Sequence, residues 1–329
     1  MPEFRQDPTT GDWVIVAAER ADRPGGTQRA EVRQAPAKSD PECPFCAGNE
    51  DETPPEILRR PMSDNWVVRV VPNKYPALAP DLSAPLSTDD SLYTRAPARG
   101  HYEVIVEGPV HRLETVADQS AVLYECLRAA QQRYRVFEED PDLHFFSLFK
   151  NHGIGAGASL AHPHWQIVAS PIIAPSLGRM LEIGAAYWAR YGRSVFGDVA
   201  DREIGLGDRL VEETRRFVVL TPFAPRWSGE VWIIPRGSGV TFGELGGDDL
   251  TAFADVLCQT LRRIAQAFDD PALNVLVVSA PLRTVSAPGF RWHVRIQPRM
   301  TTQGGFELAS GMSITTMAPE VAAETLRAV

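Results

Sequence analysis

This sequence has few cysteines and no excess of positive charge. Four cysteines occur in 329 residues, and 33 Lys and Arg residues are outnumbered by 42 Asp and Glu residues, which gives a net charge of -9. We do not expect a nucleic-acid partner, because binding to a nucleic-acid backbone depends on many cationic contacts. Any phosphate that this protein binds must therefore be held by a local cluster of donors.

Long apolar runs are also absent. No stretch reaches the roughly 20 apolar residues that cross a bilayer, and residues 1–5 do not begin an apolar signal segment. We therefore expect no membrane partner and a cytoplasmic location. In such a reducing compartment disulfides are rare, so the pair Cys43 and Cys46 indicates a metal or redox site. Cys126 and Cys258 lie in apolar helical patterns and are expected to be buried.

What the sequence does contain is an internal repeat. Each copy has two strand patterns, a helical pattern, an Asp-Pro pair, a third strand pattern and a histidine, with spacings that agree to within three residues. The first copy includes 66–72, 102–106, 121–137, Asp140-Pro141 and His164, and the second includes 216–222, 229–234, 249–268, Asp270-Pro271 and His293.

The repeat predicts an α+β fold built from two similar halves. Each half should have a mostly antiparallel sheet and a long helix, and the two sheets can join into one. We place the halves at residues 1–190 and 191–329. Where the first half has two histidines at 162 and 164, the second has Arg291 and His293. We therefore expect the chemistry to reside in the first half.

The histidine-rich run 162–166 carries the candidate nucleophile. Alternation along a strand would place His162, His164 and Gln166 on one face. Neutral imidazole is a good nucleophile near pH 7, and His164 is our candidate for attack on phosphorus. Such a nucleophile needs an acceptor on its other ring nitrogen and donors around the phosphoryl oxygens. An alternative is that both histidines are structural residues of a strand.

A glycine-rich run, 151–159, precedes the histidines and argues against that alternative. Its three glycines, including Gly157, let the backbone approach a phosphate closely, and the side chains of Ser159 and Gln166 add donors. Because a strand follows the run, it does not fit the dinucleotide fingerprint, which opens a helix.

The pair Cys43 and Cys46 has the spacing of a zinc knuckle. No second such pair exists, so two histidines must complete a metal site, and His111 and His162 are the best candidates. A site with two cysteines and two histidines is closed and structural. Two alternatives stay open: a redox pair of cysteines, and other histidine ligands, namely His101, His144 and His152.

Together these motifs resemble the galactose-1-phosphate uridylyltransferase family of the histidine-triad superfamily. The motifs are Cys-Pro-Phe-Cys at 43–46, the glycine run ending at Ser159, and His-Pro-His-Trp-Gln at 162–166. The resemblance extends to residues 5–24 and to Gly305-Phe306-Glu307. It implies a fold of tandem histidine-triad-like units, catalytic and zinc-binding in the first half and degenerate in the second.

The resemblance also implies a reaction and a set of roles. The reaction is a ping-pong exchange of uridylyl groups between UDP-glucose and a hexose 1-phosphate such as galactose 1-phosphate, with a covalent intermediate on His164 assisted by Gln166 and Ser159. A structural zinc is implied on Cys43, Cys46, His111 and His162, and members are commonly homodimers. Substrate contacts are expected from Arg20, Arg23, Asn73, Asn151, Gly157, Ser159, Gln166, Phe306 and Glu307.

Three other functions are alternatives to uridylyl transfer. Lys74 replaces an Asp that uridylyltransferases carry beside Asn73, and the C-terminal segment 305–320 resembles ADP-glucose phosphorylases, in which inorganic phosphate accepts an adenylyl group. A histidine-triad hydrolase is disfavoured, because Gln166 stands where those enzymes have a further histidine and glutamine cannot protonate a leaving group. A zinc-braced binding module leaves the glycine run unexplained.

Overall fold

Apolar alternation and helical periodicity produce fifteen strands and six helices in the residues that the computed structural model describes, which are 1–22, 39–63, 65–82, 87–88, 92–111 and 120–329. The strands are β1 (Glu3–Gln6), β2 (Trp13–Val16), β3 (Leu58–Arg60), β4 (Val68–Pro72), β5 (Ser87–Thr88), β6 (Thr94–Arg95), β7 (His101–Glu107), β8 (Phe145–His152), β9 (His164–Ser170), β10 (Leu210–Glu213), β11 (Phe217–Leu220), β12 (Val231–Pro235), β13 (Leu273–Val278), β14 (His293–Pro298) and β15 (Ser313–Thr315). The helices are α1 (Ser120–Glu138), α2 (Pro175–Tyr191), α3 (Val195–Leu206), α4 (Gly247–Phe268), α5 (Gly305–Ser310) and α6 (Pro319–Arg327).

Ten strands form one sheet in the order β10-β11-β12-β14-β13-β8-β9-β7-β4-β3, and all neighbouring pairs are antiparallel. The order β11-β12-β14-β13 repeats as β4-β7-β9-β8, so the duplication is visible in the topology. Pairing of β13 with β8 joins the two copies, from Leu273 beside His152 to Val277 beside Leu148. The α+β fold with duplicated antiparallel units is confirmed, whereas the boundary at residue 190 stays a prediction.

The two long predicted helices, α1 and α4, cover one face of this sheet, which we call the helix face. Leu123, Leu127 and Tyr134 on α1 are buried with Phe253 and Leu257 on α4 in one continuous core. Each fully buried side chain of this kind contributes about 1.5–3 kcal/mol through removal from water. The predicted burial of the two helical cysteines is confirmed. None of the described helices is both long and apolar enough to cross a membrane.

The other face of the sheet, which we call the opposite face, is covered differently in the two halves. In the first half, Phe45 and the two cysteines of the 43–46 motif pack on Val104 and Val106 of β7. Over the strands of the second half, α2 and α3 pack on the sheet, with Phe196 wholly buried. The first half is therefore covered by a short loop and the second by helices.

Strand β9 directs its side chains as alternation predicts, except at its start. Trp165 and Ile167 belong to the core of the helix face, so His164 and Gln166 lie on the opposite face. The prediction that His162 shares this strand is wrong, because β9 begins at His164. Pro163 cannot donate to a strand ladder, and only its carbonyl is used, by the amide of Glu107 at 2.9 Å.

Candidate functional site

Two cysteines and two histidines meet beneath the start of β9. The ligand atoms of Cys43, Cys46, His111 and His162 all lie within 4.8 Å of one another, and all four residues are buried. Nδ1 of His162 is 3.7 Å from Sγ of Cys43 and 3.6 Å from Sγ of Cys46. A tetrahedral zinc ion, with bonds of about 2.3 Å to sulfur and about 2.0–2.1 Å to nitrogen, separates such atoms by about 3.6 Å. The four residues fit a metal ion.

The protonation chemistry of this cluster also suits a cation. Nε2 of His162 donates to the carbonyl oxygen of Gly108 at 2.9 Å, which leaves the lone pair of Nδ1 directed at the cysteines. Burial lowers the pKa of His162 to about 4, so the ring is neutral and able to ligate. Burial raises the pKa of the Cys43 thiol to about 11, and a bound cation would be needed to hold it as thiolate.

The rival histidines lie elsewhere. His101 packs against Phe137 with ring centroids 4.9 Å apart, and Nε2 of His152 faces Asp270 at 3.6 Å. His144 is exposed just before β8.

The side chain of His164 is held in one orientation and one tautomer. Its Nδ1 lies 2.8 Å from the carbonyl oxygen of His162, and since a carbonyl only accepts, Nδ1 carries the proton. The lone pair of Nε2 is thereby left for a ligand. Burial lowers the pKa of His164, and the charge of Lys150 lowers it further, so the ring is neutral near pH 7. The ring of Phe45 packs 5.4 Å away and connects the cysteine loop to His164.

A tyrosine that the motifs did not indicate positions Gln166. Oη of Tyr102 on β7 donates to Oε1 of Gln166 at 2.6 Å, so the Gln166 amide presents its NH₂ group as a donor. Asn73 lies beside this pair, because its backbone N–H donates to the backbone carbonyl oxygen of Tyr102 at 2.8 Å. Tyr102 and Gln166 are diagonal neighbours on paired strands, and the strand register needed to see this is absent from the sequence.

The glycine run forms a tight turn, and several of its backbone amides donate hydrogen bonds within the turn itself. The amides of Ala156 and Ala158 donate to the carbonyl oxygen of Gly153, at 3.1 and 3.2 Å. Gly157 has φ +85°, which only glycine adopts readily, and a side chain there would approach Asn151. Ser159 follows the turn and is exposed. A ligand at this turn would therefore contact the side chains of Asn151 and Ser159 more than the backbone amides.

An asparagine from the second half holds this turn in place. Nδ2 of Asn274 on β13 donates to Oδ1 of Asn151 at 2.8 Å and to the carbonyl oxygen of Ala156 at 2.9 Å. Nε of Arg299 donates to Oδ1 of Asn274 at 2.5 Å. Sequence reasoning missed Asn274, although a polar residue in the apolar run 273–278 was a usable signal.

His293 occupies the position in the second half that His164 occupies in the first. Its Nδ1 also lies near the carbonyl oxygen two residues earlier, that of Arg291, at 3.0 Å. Its Nε2, however, accepts from Nε of Arg295 at 3.1 Å, and the ring is fully buried against Phe196. Both ring nitrogens are therefore occupied, and the ring is closed to a ligand.

Comparison with known proteins agrees with this geometry. The sequence model of the galactose-1-phosphate uridyl transferase family, N-terminal domain, matches residues 1–174, more than half of the chain. The chain belongs to this family. The family predicted from the motifs is thus confirmed, and with it membership of a group of nucleotidyltransferases.

Relatives of the family match along the whole chain. ADP-glucose phosphorylase of Arabidopsis thaliana is 30% identical over 332 residues, which cover 100% of this chain and 93% of the relative. Galactose-1-phosphate uridylyltransferase of Haemophilus influenzae is 26% identical over 340 residues, which cover 100% of this chain and 94% of the relative. A crystal structure of an ADP-glucose phosphorylase from Arabidopsis thaliana with bound ADP-glucose superposes with a TM-score of 0.85 at 29% identity, covering 100% and 99% of the two chains.

The remaining predicted contact residues of this family member lie in other elements. Arg20 is exposed on a short helix at Ala18–Asp22, and Arg23 lies outside the described residues. Phe306 is exposed at the start of α5, and Oε2 of Glu307 caps the same helix by accepting from the amide of Gly304 at 3.0 Å. Their substrate contacts stay predictions.

The metal cluster gives a first testable prediction. We expect wild-type protein to contain about one zinc ion per chain and the Cys46→Ser variant to contain far less, with a lower melting temperature, because the site loses a ligand. Elemental analysis and thermal unfolding measure both. The control is Cys258→Ala, a buried cysteine outside the cluster, which should keep the metal. Equal zinc content in Cys46→Ser and wild type would contradict the site.

Proposed function

We propose that this protein transfers a nucleotidyl group from a nucleoside diphosphate sugar to a phosphate-bearing acceptor through a covalent intermediate on His164. The observation that carries the proposal is the hydrogen bond from Nδ1 of His164 to the carbonyl oxygen of His162, which leaves a neutral Nε2 as nucleophile. Family membership supports the same chemistry.

In the first half-reaction, Nε2 of His164 attacks the α-phosphorus of the donor. The Nε2–P bond forms, the bond from phosphorus to the bridging oxygen breaks, and the hexose 1-phosphate leaves with that electron pair. The imidazole becomes positively charged, and the Nδ1–H bond to the His162 carbonyl stabilises this charge. The donor NH₂ of Gln166 is available to the phosphoryl oxygens.

In the second half-reaction, a phosphate oxygen of the acceptor attacks the same phosphorus and the Nε2–P bond breaks. The leaving group of the first step is a phosphate, whose second pKa is about 6, so it departs without a proton. Gln166 can stabilise the phosphoryl oxygens but cannot donate a proton to an alcohol or amine. Its presence favours transfer between phosphates.

The other predicted groups receive roles from their positions. Asn151, Gly157 and Ser159 form the turn that would face the phosphates, and Asn73 lies beside the Tyr102–Gln166 pair. Zinc held by the Cys43 cluster would be structural: when bound, it fixes the ring of His162 and so its carbonyl oxygen. A homodimer is also part of the proposal.

Two nucleotides compete for the donor position. The motifs predict UDP-glucose with a hexose 1-phosphate as acceptor, the exchange used in galactose metabolism. The second candidate is ADP-glucose with inorganic phosphate as acceptor. It is favoured by Lys74 beside Asn73 and by the 30% identity to an ADP-glucose phosphorylase along the full chain.

The covalent intermediate can be tested directly. Full-length protein incubated with UDP-glucose or ADP-glucose, without acceptor, should gain the mass of one nucleotidyl group per chain on His164, and adding hexose 1-phosphate or inorganic phosphate should remove it. Intact-protein and peptide mass spectrometry measure this, and the donor and acceptor that work identify the reaction. The His164→Gly control should gain no mass. A protein that turns over either donor without a His164 adduct would overturn the mechanism.

The position of Asn274 gives a prediction for a residue that need not touch substrate. Replacing Asn274 with Ala removes two hydrogen bonds to the 151–159 turn, so formation of the adduct should slow by about tenfold or more, since each such bond contributes about 0.5–1.5 kcal/mol. The rate of adduct formation in single turnover is the measurement. Thr260→Ala, which removes a buried hydrogen bond within α4, is the stability-matched control and should react at the wild-type rate. Equal rates in Asn274→Ala and wild type would contradict the role.

A further inference from the structure

A cavity of about 550 Å³ lies on the opposite face of the sheet, against strands of the second half. It is bounded by strands β13 and β14, by the first turns of α2, and by residues 226–227 after β11. The described residues that line it include four arginines but a single carboxylate, that of Asp12. The arginines are Arg179, Arg226, Arg295 and Arg299. In a protein of net charge -9, this concentration of positive charge is unusual.

The cavity corresponds in position to the His164 site. Arg295 follows His293 by two residues on β14, as Gln166 follows His164 by two residues on β9. Both histidines point Nδ1 at a carbonyl oxygen two residues earlier. The duplication has therefore placed two groups of polar side chains at equivalent positions on one face of the sheet, His164 with Gln166 and His293 with Arg295.

Two of the arginines are fixed before any ligand arrives. Arg295 is only 7% exposed, and besides its bond to His293 its Nη2 lies 3.3 Å from Oγ1 of Thr9. The guanidinium of Arg299 lies 3.7 Å from the ring centroid of Trp227. Prior fixing reduces the entropy that a ligand would otherwise have to overcome.

The positive charge of the cavity is only partly neutralised. Arg179 pairs with Asp12 at 3.2 Å. Glu230 is close to the cavity, since its Oε2 accepts from the backbone amide of the lining residue Arg226 at 2.8 Å. Burial lowers the pKa of Arg299, the charge of Glu230 opposes this, and the charge of Arg226 lowers it further, so the two guanidinium groups, which line the same cavity, repel each other. An anion between them would relieve that repulsion.

We propose that this cavity binds a small phosphate ester, at a site separate from His164. A phosphate group accepts from several guanidinium groups at once, and the first turn of α2, at Pro175 and Ser176, adds its positive dipole end. The side chains of Gln297 and Gln303 also line the cavity and can bind the hydroxyl groups of the organic part.

The test is a titration of the full-length protein with glucose 1-phosphate, ADP and inorganic phosphate by calorimetry. In Arg226→Gln, the dissociation constant of the organic phosphates at one class of site should rise by about tenfold or more. This is the effect expected from the loss of one hydrogen bond to a charged group. Arg202→Gln removes the same charge from an exposed position on α3 and should change nothing. The ester that binds more tightly identifies the ligand as a sugar phosphate or a nucleotide.

The result is independent of the chemistry at His164. The His164→Gly variant should keep the site that depends on Arg226, even if His164 proves not to be a nucleophile. Binding that is unchanged in Arg226→Gln would overturn the proposal, as would binding of inorganic phosphate alone. The proposal would also be overturned if Arg226→Gln slowed adduct formation on His164 as much as it weakened binding of the organic phosphates. The arginines would then belong to the His164 site.

Discussion

One hydrogen bond joins the two functional parts of this protein. The carbonyl oxygen that accepts from Nδ1 of His164 belongs to His162, whose ring is part of the metal cluster. Pro163 lies between them and restricts the backbone, so the position of the cluster determines the orientation of His164, the proposed nucleophile. Phe45 adds a packing contact between the cysteine loop and His164. A structural metal would thus act on catalysis by fixing geometry, without touching the reacting phosphorus.

The duplicated fold shows how the proposed nucleophile, His164, differs from its counterpart in the second half, His293. His164 and His293 share strand position, side-chain direction and the bond from Nδ1 to a carbonyl oxygen. They differ at Nε2, which is left to a ligand in the first half and accepts from Arg295 in the second. Helix α3 then buries His293, whereas a short loop covers the first half. The second half has a supporting role through Asn274, which forms hydrogen bonds to the 151–159 turn of the first half.

Much of this could be predicted from sequence, and the omissions have a common cause. Periodicity located the two long helices and the main strands of each copy, and the cysteine spacing with two candidate histidines predicted a metal cluster that the structure assembles. Tyr102 and Asn274 were missed because their roles depend on strand register and on the pairing of β8 with β13, which sequence patterns do not specify. The prediction that His162 lies on the strand extended alternation through Pro163, which has no amide hydrogen to donate to a strand ladder.

The tautomer of His164 is the most direct test of this account. Nitrogen-15 NMR of zinc-loaded protein with labelled histidine, at neutral pH, reports which ring nitrogen carries the proton, and the His164→Gly variant assigns the signal by its loss. The account predicts a neutral ring with the proton on Nδ1 and an unprotonated Nε2. A proton on Nε2, or an imidazolium at pH 7, would contradict it, because neither state leaves a lone pair directed at the donor phosphorus.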